Sequence, residues 1–140
     1  MASLIPDSLL ADVFAGNVNT THNFKMMLCT SAYIPDRAHN RRDDVTNEVT
    51  GTGYSAGGAG VMLTTTTDTV NHKTTITIAG ATWASSTITA RTAVIYRARG
   101  GAASADELVA IIENPANVSS SGTTFAVAAS TWEIPHPTPI

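Results

Sequence analysis

The stretch from Thr87 to Arg99 constrains the fold most. It runs Thr-Ile-Thr-Ala-Arg-Thr-Ala-Val-Ile-Tyr-Arg-Ala-Arg, between Gly80 and a Gly100-Gly101 turn signal. It reads as one long strand or two short ones, and side chains alternate across a strand, so Ile88, Ala90, Thr92, Val94, Tyr96 and Ala98 share one face. Thr87, Thr89, Arg91, Ala93, Ile95 and Arg97 take the other. The centre, Thr92 to Tyr96, is apolar on both faces. A strand of that kind must be covered on both sides. Trp83, just upstream, is expected to pack beneath it. The rest of the chain must supply strands that pair with this one or cover it.

Those strands can be read in order. Asn23–Ser31 places Phe24, Met26, Leu28 and Thr30 on one face and Lys25, Met27 and Cys29 on the other. Val61–Thr67 and Val70–Ala79 are Thr-rich, and Thr is stiff at χ1 and favours pleated backbone. The turn between them falls at Asp68 or at Val70–Lys73. Ile76 and Ile78 face inward with Thr74. Glu107–Asn114 follows, with Leu108, Ala110 and Ile112 opposite Val109 and Ile111, and Asn114-Pro115 is expected to end it. Asn117–Thr123 reads as a loop. Phe125–Ile134 reads as one final strand carrying Val127 and Trp132. Pro135–Ile140 reads as an extended tail that cannot enter a ladder.

One helix is expected, within an N-terminal segment over residues 1–16. Pro6 suits the first turn, and Gly16 suits a left-handed stop after Ala15. Leu9, Leu10, Val13 and Phe14 form a stripe expected to dock on the sheet. With seven or eight short strands, one short helix and no βαβ spacing, the fold class is all-β: an antiparallel β-sandwich, jelly-roll or immunoglobulin-like in outline. Its 140 residues make a single domain, 1–140.

Charged residues make up 14% of the chain, against about 25% in an average soluble domain. The polar surface must be mostly Thr, Ser and Asn, which suits β-structure and close protein contact. Eight Lys plus Arg and a net charge of −3 leave no basic stripe, so direct nucleic-acid binding is not expected. The start lacks a basic region followed by an apolar run, so neither a signal peptide nor a membrane anchor is expected. The single cysteine, Cys29, allows no disulfide within the chain and reads as a packed residue.

Charge concentrates in Tyr33–Asp44. Arg37, Arg41, Arg42, Asp43 and Asp44 make this loop the candidate contact with a partner; the other reading is a solvated loop whose charges pair with one another.

No motif for chemistry stands out. Gly51-Thr-Gly53-Tyr-Ser-Ala56 matches a dinucleotide fingerprint in letters, but no helix is expected to follow it. Its glycines read instead as positions for positive φ. His22, His39, His72 and His136 are scattered, so no metal site is expected. Adjacent Asp106 and Glu107 would face opposite ways on a strand, although a carboxylate pair could still form across strands. Enzymatic activity and cofactors are not expected. A sugar-stacking platform built from Trp83, Trp132, Tyr33, Tyr54 and Tyr96 is a competing class, against the reading in which both tryptophans are core.

Several blocks taken together resemble a family. They are the short helix ending in Gly16, Phe24–Pro35, Asn47–Tyr54 followed by Ala56-Gly57-Gly58, and Trp83 followed by Ser86–Arg91 and Ala93–Tyr96. The chain resembles small structural proteins of tailed bacteriophages, in particular jelly-roll head cementing, or decoration, proteins. The resemblance implies a virion component on the capsid exterior whose partner is the major capsid protein. It also implies a symmetric oligomer, for which a dimer is the default, and assembly in the host cytoplasm. A tail or fibre-base component is the alternative within the same family of proteins.

Overall fold

The structure, a computed structural model, describes residues 3–139; Met1, Ala2 and Ile140 lie outside the described residues. Its strands, all paired antiparallel, form three hydrogen-bonded sheets. In the first, β1 (Phe24–Cys29), β2 (Ala59–Val61), β6 (Thr89–Arg97) and β7 (Leu108–Ser119) lie in the order β2-β1-β6-β7. The second holds β3 (Leu63–Asp68), β4 (Lys73–Ile78) and β9 (Ser130–Pro135), with β4 central. The third pairs β5 (Ala81–Ser86) with β8 (Thr123–Val127).

One core lies between the first sheet and the other two. Phe24, Met26 and Leu28 of β1, Ala93 and Ile95 of β6 and Val109 of β7 meet Ile76 and Ile78 of β4, Trp83 of β5 and Phe125 of β8. This is an all-β sandwich, as expected from the pattern of short strands. A jelly roll arranges eight strands in two sheets; here the sheets have four, three and two strands, and jelly-roll connectivity remains an expectation of the resemblance.

The far face of the first sheet is also buried. Met27 and Cys29 of β1, Val94 and Tyr96 of β6, and Leu108 and Ile111 of β7 pack there with Tyr33, and Leu4 and Val45 close over them. The doubly apolar centre of β6 thus has its two covers: the sandwich core on one side and the Tyr33–Val45 segment on the other.

Two irregularities change the expected alternation. Ile88 and Ala90 pack with Ala93 and Ile95, not with Val94 and Tyr96. The slip coincides with a register shift between Ala90 and Thr92, which pair with Val118 and Glu113. Four residues of β7, 114–117, stand against Arg91 alone, whose Nε donates to the Asn114 carbonyl at 3.1 Å. This excursion lets β7 pass Pro115 and run on to Ser119 instead of stopping at Asn114. A second shift, between Ile95 and Tyr96, puts Ala110 in the sandwich core with Val109 while Leu108 joins Ile111 on the far face.

Other expected strands are divided. Val61–Thr67 breaks at Met62, so β2 and β3 serve different sheets. Phe125–Ile134 likewise divides into β8 and β9. Pro135 does enter the ladder, opposite Lys73. The His136 N–H bonds to the His72 carbonyl at 2.8 Å, so main-chain bonding alternates to leave the Pro135 nitrogen pointing away from β4.

The helix α1 (Leu9–Phe14) is shorter than expected. It ends as foreseen: Gly16 has φ +79°, and the Gly16 and Asn17 N–H groups bond back to the Val13 and Asp12 carbonyls. Its stripe does not dock. Leu9 is buried, while Leu10, Val13 and Phe14 are 52%, 44% and 89% exposed. The helix turns Asp12 inward instead, toward Arg41 and Asn17.

Among the glycines, Gly58 in the glycine-rich segment lies closest to another stretch of backbone. Gly58 has φ +81°, and a Cβ there would lie 1.8 Å from the Met26 carbonyl oxygen. Gly16 has a similar φ but open space around it. Gly58→Ala should therefore cost several-fold more stability than Gly16→Ala, for which strain alone is about 1–2 kcal/mol. Urea-denaturation midpoints of the two variants check this ordering.

Candidate partner interface

The Tyr33–Asp44 loop is folded down, not free. Its main chain is tied at both ends: the Asp7 N–H bonds to the Arg37 carbonyl (2.9 Å), the Leu108 N–H to the Asn40 carbonyl (3.1 Å), and the Arg42 N–H to the Asp106 carbonyl (2.9 Å). A 3-10 turn over Arg42–Asp44 closes the segment. The Asp44 carboxylate accepts from the Asn40 and Arg41 N–H groups at 2.8 and 3.2 Å. These backbone bonds, the Asn40 one foremost, hold its pKa below the usual value.

The arginines face inward to acids far away in sequence. The Arg42 Nε donates to Asp106 at 2.7 Å, and its guanidinium lies 5.1 Å from the centre of the Tyr96 ring. Arg41 reaches Asp12 at 3.4 Å. Beside them, Arg99 grips Glu107 through two bonds of 2.8 Å, and its N–H bonds to Asp106 at 3.0 Å. Asp106 and Glu107 are each only 2% exposed. Burial of two carboxylates is tolerable only with such partners.

The sequence reading placed Arg37, Arg41, Arg42, Asp43 and Asp44 on one contact surface. The structure divides them. Arg41, Arg42 and Asp44 are half-buried and engaged within the molecule; Arg37 and Asp43 are exposed. Among the described residues, the Arg37 side chain makes only a long bond, 3.4 Å, to the Ile5 carbonyl. The loop's first task is thus to cover Met27, Val94 and Tyr96, with a charged rim that locks it to the start of β7.

Asp106 and Glu107 were the acids that sequence could offer for proton transfer. The bidentate Arg99 pair, the largest influence, lowers the Glu107 pKa, whereas a general acid at neutral pH needs a raised one. The pair is a clasp. Cys29 is fully buried, and burial pushes its thiol up to about 12, so it is a packed residue as expected. Glu48 is a further internal fastener: it accepts from the Tyr54 hydroxyl at 2.6 Å and the Gly57 N–H at 2.7 Å. The Tyr96 hydroxyl donates to the Gly57 carbonyl at 2.6 Å. The glycines are followed by β2, not by a helix.

The tryptophans do not form a stacking platform. Trp83 is 6% exposed and lies between Tyr54 and Phe125, at ring separations of 6.0 and 6.1 Å. Trp132 is half-buried against the core.

Contact through backbone edges is also expected from the sequence, which does not say which main-chain groups those edges present. In β4, the odd-numbered residues bond to β3 and the even-numbered ones to β9, as the bonds Ala79 N–H to Met62 O and His136 N–H to His72 O require. The outward main-chain groups of β9 therefore belong to Thr131, Glu133 and Pro135. An exposed acid and a proline guard that edge. The outward groups of β3 belong to Leu63, Thr65 and Thr67. Thr64–Thr67 are all exposed, and no charge or proline interrupts them. The first part of β7 is covered by Leu4, which exchanges both main-chain bonds with Ile111. No family model, no curated protein and no solved structure matches this chain.

The clasp makes stability pH-dependent. Glu107 has a folded pKa below its ordinary 4.5. Its contribution is complete above that value and is lost as pH falls through the lower, folded one. Glu107→Gln should flatten the acid limb of stability measured between about pH 5 and 2. Arg42→Ala, which strands buried Asp106, should cost about 3 kcal/mol at neutral pH; a loss below about 0.5 kcal/mol would return Arg42 to the solvated class.

Proposed function

We propose that this protein is a structural virion component that binds the outer surface of a phage capsid and cements neighbouring major capsid proteins. The reading begins from the resemblance to head cementing proteins. The observation that carries it furthest is the kind of surface the fold offers: a Thr-rich sandwich with an unguarded strand edge, while Arg41, Arg42 and Arg99 are paired with the buried acids Asp12, Asp106 and Glu107. Such a surface offers main-chain donors and acceptors over a wide area, which suits adding a strand to, or lying flat on, another protein. A protein that binds the assembled shell better than its separate subunits stabilises the shell by mass action. Bridging two subunits multiplies each weak contact through effective concentration.

Of the five candidate contact residues, Arg37 and Asp43 are the two left exposed to meet the capsid. Replacing Arg41 or Arg42 would disturb the fold as well as any contact, so these two cannot report on binding alone.

Purified protein mixed with undecorated mature heads should sediment with them and raise their resistance to heat and dilution. The paired change Arg37→Ala and Asp43→Ala should weaken that binding and its salt dependence while the melting temperature stays put. Heads that gain no resistance and leave the protein in the supernatant rule the cementing role out; full binding by the double variant moves the interface away from the loop.

A further inference from the structure

The edge of β3 is matched to itself. We propose that two copies of this chain pair along β3 in an antiparallel ladder whose two-fold axis passes through Thr65. The inference deepens the oligomer expected of a cementing protein, yet it rests on this strand alone and not on capsid binding.

The register follows from which main-chain groups are free. Leu63, Thr65 and Thr67 point their N–H and C=O groups outward, because Thr64, Thr66 and Asp68 use theirs on Thr77, Thr75 and Lys73 of β4. Two such edges can exchange bonds only when odd-numbered residues oppose odd-numbered ones. The two-fold solution centred on the strand sets Thr65 against Thr65 of the partner and Leu63 against Thr67. Thr64 then lies opposite Thr66, on the outer face with Thr75 and Thr77 of β4. Cross-strand Thr pairs are favourable neighbours.

Charge and shape agree with this register. The charged residue of the strand, Asp68, lies at its end, so the two copies of Asp68 sit at opposite ends of the ladder and do not meet. Asp68 is already occupied in its own turn, accepting from the Val70 and Asn71 N–H groups at 2.9 and 3.0 Å. Two exposed apolar side chains flank this edge: Met62 just before the strand, 70% exposed, and Val70 in the turn after it, 82% exposed. Antiparallel pairing sets Met62 opposite Asp68 of the partner, at the foot of the turn that carries Val70 of the partner. The two-fold axis does this twice, and it joins two three-stranded sheets into a continuous six-stranded one. The β9 edges, guarded by Glu133 and Pro135, remain outermost and stop the sheet from growing further.

The test uses the purified full-length chain without capsids, so its outcome is separate from that of the cementing role. Sedimentation equilibrium should give twice the 14.6 kDa chain mass. Thr65→Pro removes an N–H that points outward and leaves the bonds to β4 in place. It should halve the mass with an unchanged far-ultraviolet circular dichroism spectrum. Should that variant misfold, Thr65→Cys carrying a nitroxide label keeps the question open to measurement. Buried Cys29 is unreactive, and labels at positions whose Cα atoms stand about 5.5 Å apart should broaden each other's spectra strongly. Labels at Asn117 should not. A monomer at every concentration overturns the proposal, as does a dimer whose Thr65 labels show no mutual broadening.

Discussion

The sheet β2-β1-β6-β7 is apolar on both faces, and the molecule is organised by the need to cover it twice. Sandwich packing meets half of that need: β3, β4, β5 and β8 send Leu63, Ile78, Trp83 and Phe125 against one face. Among the described residues no second layer of strands covers the other face. A loop with Tyr33 and Val45 on its underside takes that place. A loop is a poor cover unless its own polar main chain is satisfied. Here the main chain bonds to Asp7, Asp106 and Leu108, and the arginines act as rivets into Asp12 and Asp106. A charge-rich loop in a charge-poor chain is explained first by this covering duty.

That duty also explains which inferences could be drawn from residues alone. Alternation in β1 is correct residue by residue, because Phe24 to Cys29 pairs with β6 without interruption. In β6 and β7 the same rule fails at Ala90 and at Ala110, because each bulge advances one strand against the other and swaps the faces. Nothing local marks these places; Arg91 holding the Asn114 carbonyl is a contact across strands. The helix shows another limit. Its apolar stripe is regular, but Asp12 has a partner in Arg41 that no local pattern announces, and the helix turns Asp12 and Leu9 inward and leaves Phe14 outside.

The candidate site was legible as a place and not as an arrangement. Its interleaved Arg and Asp residues invite pairing within the loop, and Asp44 does cap the loop's own backbone. Arg42 instead pairs with an acid 64 positions later. Proximity created by folding outweighed proximity along the chain, since Asp106 is buried and a buried carboxylate must have a cation. Exposed edges were expected, but which of their groups are free was illegible for a related reason. Which groups of a strand point outward depends on its partner's register, and no single strand contains that information.

Strand β1 cannot be paired with β6 until roughly seventy further residues have been synthesised, since Phe24 meets Arg97. The β3–β4 hairpin, by contrast, closes on itself through the short Thr69–His72 turn. The earliest order during synthesis therefore forms in the middle of the chain, while Met26, Met27 and Leu28 wait uncovered on the ribosome. Such delayed long-range closure belongs to slow-folding topologies that mature in milliseconds to seconds. Yield in a host cell then depends on chaperone capacity as well as on the stability of the finished fold.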